Sequence, residues 1–143
     1  MSILKNDVIF HFIGTLDELN SHLGLIKAMY KPAGNFIEEI QINLMKIMSH
    51  ASGIKNNKSL LTENEINDLE KEIDVLTNKL PKITEFVLPG KNVIEAQIQI
   101  ARTVARRAER YFAAASEKLP LSREAGVYLN RLSDYLFFLS QQN

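Results

Sequence analysis

Arg102 and Arg106 stand four residues apart in the run ARTVARRAER, and on a helix they share one narrow strip with Glu95, Gln99 and Glu109. Two guanidinium groups flanked by carboxylates can grip a phosphate or a carboxylate bidentately, which lysine cannot do. Ile98, Ala101, Val104, Ala105, Ala108 and Phe112 give the same helix a small, apolar packing side, so the strip is expected to face a cleft, a partner subunit or solvent. A solvated, salt-bridged face is the ordinary reading of such a charge run. The chain-wide distribution of arginine points further. All 6 arginines fall between Arg102 and Arg131, whereas the first 90 residues hold 9 lysines and no arginine. That segregation favours a local anion site.

The other chemistry-bearing residues are sparser. Asp17 and Glu18 are paired carboxylates that read either as acid/base groups or as stabilising charges in a first helical turn, and Asn20 lies near the face of Asp17. Asn130, Arg131, Ser133 and Asp134 interrupt the apolar run YLNRLSDYLFFL and require partners, across a subunit interface or on a ligand. Phe86, beside Pro89 and Gly90, is either a core plug or an aromatic wall for a flat ligand. His11, His22 and His50 are scattered and read as structural or surface residues, so no metal site is expected. Neither a Walker A loop nor a GxGxxG motif is present, and any nucleotide phosphates would be met mainly by side chains.

These residues need a scaffold, and its composition is ordinary. The chain has 143 residues, 45% of them hydrophobic and 24% charged, which suits one domain spanning 1–143 with a single core. A formal net charge of +0 argues against general nucleic-acid or membrane-surface binding. There is no cysteine, no signal-peptide layout and no apolar run of membrane-spanning length, so a cytoplasmic protein is expected.

Five helices are predicted and no strand. The first runs from Thr15 as a cap to Pro32 and Gly34, with VIFHF before it left open as strand or lead-in. The second opens at Asn35 with Glu38 completing a capping box, and closes at Gly53 and the polar run KNNKS. Thr62 and Glu65 open the third, which ends at Pro81. The connector KITEFVLPG then crosses a packed surface and turns at Pro89 and Gly90. Asn92 and Glu95 begin the fourth, reaching about Ala115, and Ser122 caps the fifth. The excess of apolar residues on the fifth helix (Val127, Tyr128, Tyr135, Phe137, Phe138) predicts a subunit interface.

Taken together and in order, GTLDELNSHLG, FVLPG, ARTVARRAER and YLNRLSDYLFFL resemble the PduO-type ATP:cob(I)alamin adenosyltransferases over nearly the whole chain. The resemblance implies an all-α five-helix bundle assembled as a homotrimer, with active sites between adjacent subunits. It implies transfer of the 5′-deoxyadenosyl group of ATP to the cobalt of a reduced corrinoid such as cobalamin, with Mg2+ assisting and triphosphate released. An adenosylcobalamin-dependent enzyme is then a natural partner for the product. By motif match Arg102 pairs across the interface with Asp17 and shapes the nucleotide site, Arg106 contacts the ATP phosphates, and Asn130 binds the nucleotide. Glu109 orients the arginines, Phe86 presses on the lower face of the corrinoid, and Asn20 joins it as a corrinoid contact. Two departures are visible. Lys91 stands where a second glycine is usual, and the family's segment of the kind TRTGDxGxT, which wraps the ATP phosphates, precedes the point matched by LKNDVIFHFIGT at the start of this sequence. That second departure keeps a non-catalytic, corrinoid-binding or assembly homologue as the alternative expectation.

Overall fold

Helix α1 (Val8–Met29) begins earlier than the sequence suggests, because Asp7 and not Thr15 caps it: the Asp7 carboxylate accepts from the Ile9 N–H at 3.0 Å. The run VIFHF is therefore the first turns of the helix, and Asp17 and Glu18 lie well inside it. Thr15 is buried in mid-helix, where its hydroxyl donates to the His11 carbonyl at 2.6 Å. The computed structural model describes residues 7–53, 60–82 and 85–142.

A 3-10 turn (Lys31–Ala33) carrying Pro32 leads directly into α2 (Gly34–Ala51). The capping box expected at Asn35 and Glu38 is absent; Ala33 precedes the helix without a side-chain cap, and Glu38 instead pairs with Lys27 at 3.6 Å. Continuity from the 3-10 turn makes a polar cap unnecessary there. Gly53 adopts φ 92, which ends the helix region as expected, while the polar run after it lies outside the described residues.

Helix α3 (Glu63–Asn78) has the predicted reciprocal box between Thr62 and Glu65. Asn92 caps α4 (Val93–Ala115) and Ser122 caps α5 (Arg123–Ser140), both as read from the sequence. Among the described residues there is no strand, and the five helices form a bundle. α4 packs against both α1 and α5, while α2 flanks α1 and α3 flanks α5. Alanines at 101, 105 and 108 are fully buried and let α4 lie close to its neighbours; Phe12, Leu16, Leu19 and Leu23 fill the α1 side, and Leu129, Leu132 and Leu136 the α5 side. Each such leucine contributes about 1.5–3 kcal/mol by leaving water.

The part of the connector described before α4, residues 85–90, is mostly exposed and does not run under a packed surface. Phe86 and Leu88 stand at 108% and 89% exposure, so the expectation of a covered crossover, and with it Phe86 as a core plug, is overturned. Chain turning, not burial, shapes this segment: Gly90 takes φ 109, a left-handed value that favours glycine. On α5, Tyr128 and Tyr135 are core residues, and only Val127, Phe137 and Phe138 of the apolar excess are half-buried.

Candidate functional site

The arginine strip of α4 descends from core to surface. Glu95 and Gln99 at its N-terminal end are buried at 1% and 3% exposure, Arg102 and Glu109 are half-buried, and Arg106 is exposed. The strip as a whole therefore does not face a cleft or solvent. Helical phase told which residues share a side, but depth is set by the segment folded over the helix start.

That buried end is fully hydrogen-bonded. Glu95 Oε1 accepts from the Gly90 N–H at 2.7 Å and the Lys91 N–H at 3.1 Å, and Glu95 Oε2 accepts from Gln99 Nε2 at 3.2 Å. Gln99 Oε1 in turn accepts from Arg102 Nε at 2.7 Å. A buried carboxylate with three donors is adequately solvated by the protein. Among the described residues the two terminal amino groups of Arg102 make no hydrogen bond or ion pair.

Arg102 and Arg106 line one wall of an open depression of about 150 Å³, whose other wall is Ser133, Asp134, Phe137 and Phe138 of α5. Among the described residues Arg106 makes no hydrogen bond or ion pair. Its neighbour Arg107 differs, since it ion-pairs with Glu18 of α1, which His22 also approaches at 3.9 Å. The histidine thus does stand four residues from a carboxylate, a pairing that the sequence reading overlooked. One arginine of the Arg106-Arg107 pair ties α4 to α1, and the other presents a free fork.

A turn further along, Asn130 Nδ2 donates to Glu109 Oε2 at 2.9 Å and Asn130 Oδ1 accepts from Arg131 at 2.8 Å. Arg131 also pairs with Asp134 at 2.8 Å, and the Ser133 hydroxyl donates to the Asn130 carbonyl. The polar residues inside α5 find partners within the chain, contrary to the expectation that only an interface or a ligand could supply them. Ser133 and Asp134, read from the sequence only as polar residues in need of partners, and Phe137 and Phe138, read as interface residues, line the depression without having been assigned a role in the site. Their signal was spacing, because 130, 133, 134 and 137 fall on one helix face.

Two candidates lie apart from this depression. Asp17 is exposed on α1 and pairs with neither Arg102 nor Arg106. Asn20 faces α2, where its Nδ2 donates to the Gln41 carbonyl at 3.4 Å and its Oδ1 is buried without a partner among the described residues. Among the described residues Asn20 hydrogen-bonds to Gln41 and to no arginine.

The family model described as Cobalamin adenosyltransferase matches residues 1–142. The chain belongs to the cobalamin adenosyltransferase family. It is 36% identical over 143 residues to a corrinoid adenosyltransferase of Citrobacter freundii, covering 96% of this chain and 81% of the relative. With the human corrinoid adenosyltransferase it shares 32% identity over 148 residues, covering 96% of this chain and 59% of that protein. Among solved structures, a variant PduO-type ATP:corrinoid adenosyltransferase from Lactobacillus reuteri, complexed with cobalamin and ATP, superposes with TM-score 0.88 at 29% identity, over 96% of this chain and 78% of that one. A second variant from the same organism, complexed with ATP, gives TM-score 0.87 at 28% identity, over 98% and 83%. The five-helix architecture is that of the adenosyltransferase structures.

Among the described residues no three His, Cys, Asp or Glu side chains converge on a metal site, and no helix is long and apolar enough to cross a membrane.

Proposed function

We infer that this chain transfers the 5′-deoxyadenosyl group of ATP to the cobalt of a reduced corrinoid, the activity named for its relatives and for the structures complexed with cobalamin and ATP. The observation that carries the reading is the Arg106 guanidinium, free of any carboxylate, beside the tethered Arg102 on the wall of the α4/α5 depression.

In the step proposed, the Co(I) electron pair forms the C5′–Co bond as the C5′–O bond of ATP breaks, and the pair from that bond leaves on triphosphate. The nucleophile is the metal itself, so the chain contributes orientation, neutralisation of the leaving triphosphate and exclusion of water. Arg106 meets the phosphates, and Arg102 shapes the nucleotide site. Glu109 and Asn130, already joined to each other, hold the nucleotide side of the cleft. The exposed Phe86 covers the corrinoid face, and Asn20 is a second corrinoid contact. Magnesium travels with ATP.

A homotrimer completes the site in this reading. Asp17 is exposed and without Arg102 in its own chain, as a residue that pairs with Arg102 of an adjacent subunit must be. The assembly works in the cytoplasm and delivers product to an adenosylcorrinoid-dependent enzyme. The test is turnover: the purified chain, MgATP and a chemically reduced corrinoid should yield light-sensitive adenosylcorrinoid and triphosphate in equal amounts. Binding of both substrates with no product, under conditions where a relative turns over, would leave the carrier reading in its place.

A further inference from the structure

We propose that Glu95 and Gln99 are positioning residues that tie the turn bearing Phe86 to the guanidinium of Arg102, so that the corrinoid side and the nucleotide side of the site move as one. This rests on the adenosyltransferase reading above and adds the mechanical link between its two halves.

A glutamate at the third position of a helix ordinarily serves the cap. In α3 the third-position Glu65 reaches back to its own cap residue, accepting from the Thr62 N–H at 3.1 Å, and its side chain keeps 19% exposure. In α4 the corresponding Glu95 leaves the cap N–H alone. Its carboxylate passes beyond Asn92 to the N–H groups of Lys91 and Gly90, at 3.1 and 2.7 Å, and is buried at 1%. Capping is already done by Asn92, whose Oδ1 accepts from the Glu95 N–H at 2.8 Å. Glu95 Oε1 thus holds the Pro89-Gly90 turn, four residues after Phe86.

The second oxygen continues the path. Glu95 Oε2 takes Gln99 Nε2 at 3.2 Å, and Gln99 Oε1 takes Arg102 Nε at 2.7 Å. Each contact fixes the rotamer of the next, because Glu95 and Gln99 are buried and have no solvent to exchange with. Displacing the turn when a corrinoid meets Phe86 shifts Glu95, and through Gln99 it shifts the fork that faces the nucleotide. Linkage requires the converse to the same degree.

The experiment measures the coupling and not activity. The Kd of MgATP is determined calorimetrically for the full chain alone and saturated with cob(II)alamin. Wild type is expected to bind MgATP at least fivefold more tightly in the presence of corrinoid. Gln99→Met, which keeps length and helix propensity but breaks the relay, should reduce that factor below twofold while each ligand alone binds within threefold of wild type. Lys91→Pro removes a turn N–H at an exposed position and should also reduce the factor, which keeps the test open if Gln99→Met folds poorly. Both ligands binding without coupling in wild type, or with undiminished coupling in the variants, overturns the relay and leaves the adenosyltransferase reading standing. Failure of wild type to bind either ligand overturns both.

Discussion

Asn130 of α5 donates its side-chain N–H to the Glu109 carboxylate of α4 across 2.9 Å, a direct polar bridge between the two helices that wall the depression. Hydrogen bonds to a charged group contribute roughly 1.5–3 kcal/mol. Asn130→Asp sets two carboxylates against each other there, and MgATP affinity is expected to fall about tenfold or more. Asn130→Ala should fall less far. Equal affinities for the two variants, measured by calorimetry, would show that Glu109 has no bearing on the nucleotide.

Phe86 is fully exposed, so its removal costs no core packing. Phe86→Ala is expected to leave the melting temperature within about 2 °C of wild type, since substitutions at exposed positions stay near ±0.5 kcal/mol. Turnover with corrinoid should nevertheless drop by at least tenfold. A large loss of stability would instead mean that the aromatic ring packs on the protein.

The pH dependence of stability has two arms. Burial pushes Glu65 up, but hydrogen bonds from the Thr62 hydroxyl and from the Glu65 and Thr62 backbone, with Lys46 nearby, outweigh it and hold the carboxyl below its ordinary value of 4.5. A carboxylate held low when folded stabilises above its unfolded pKa, and that contribution is lost as pH falls through the folded value. The acid arm below about pH 4.5 should therefore be shallower in Thr62→Val. Burial raises Tyr128 and Tyr135 well above the ordinary 10.0, so their contribution is complete below pH 10 and declines above it as the unfolded phenols ionise. Melting temperatures of Tyr128→Phe and Tyr135→Phe across pH 9–11 should fall less steeply than those of wild type.

Gly126 lies inside α5, where an added Cβ would come within 2.4 Å of the Phe112 ring. That ring is held edge-on against Phe12 with centroids 5.8 Å apart. Gly126→Ala is expected to destabilise, overpacking costing about 1–3 kcal/mol against a helix-propensity gain of up to about 1 kcal/mol. In a Phe112→Leu background the sign should reverse. Denaturant titration of the four proteins decides it, and a stabilising Gly126→Ala in the wild-type background would contradict the packing account.

The sequence was most readable where one residue's chemistry decides the local structure. Thr62 with Glu65, Asn92 and Ser122 each mark a helix start, and the leucine periodicity of α1 and α5 marks the core. Thr15 misled because a threonine before an apolar stripe has two uses, as a cap or as a buried residue satisfied by the carbonyl four positions back. Asn35 misled because a helix entered from a 3-10 turn needs no polar cap, and Ala33, which precedes it, carries no polar signature. Arg102, Arg106 and Glu109 could be placed together from spacing, since helix phase fixes faces, whereas Asn130 on α5 joined them only through the family resemblance. The burial of Glu95 and Gln99 and the exposure of Phe86 could not be read from spacing, because both depend on how the connector lies over the start of α4. Asp17, read as an inter-subunit partner of Arg102, is exposed and unpaired with it within a single chain, and contacts between chains are not encoded in local pattern.

Arg106, unpaired on the wall of the α4/α5 depression, is expected to hold the phosphates of ATP. Calorimetric titration of MgATP into wild type, Arg106→Ala and Arg107→Ala tests it most directly, because the two arginines are adjacent and only one is engaged by Glu18. Arg106→Ala should weaken binding more than about tenfold, equivalent to about 1.4 kcal/mol, with Arg107→Ala within threefold of wild type. Equal affinities in all three proteins, or a greater loss in Arg107→Ala, would contradict the account.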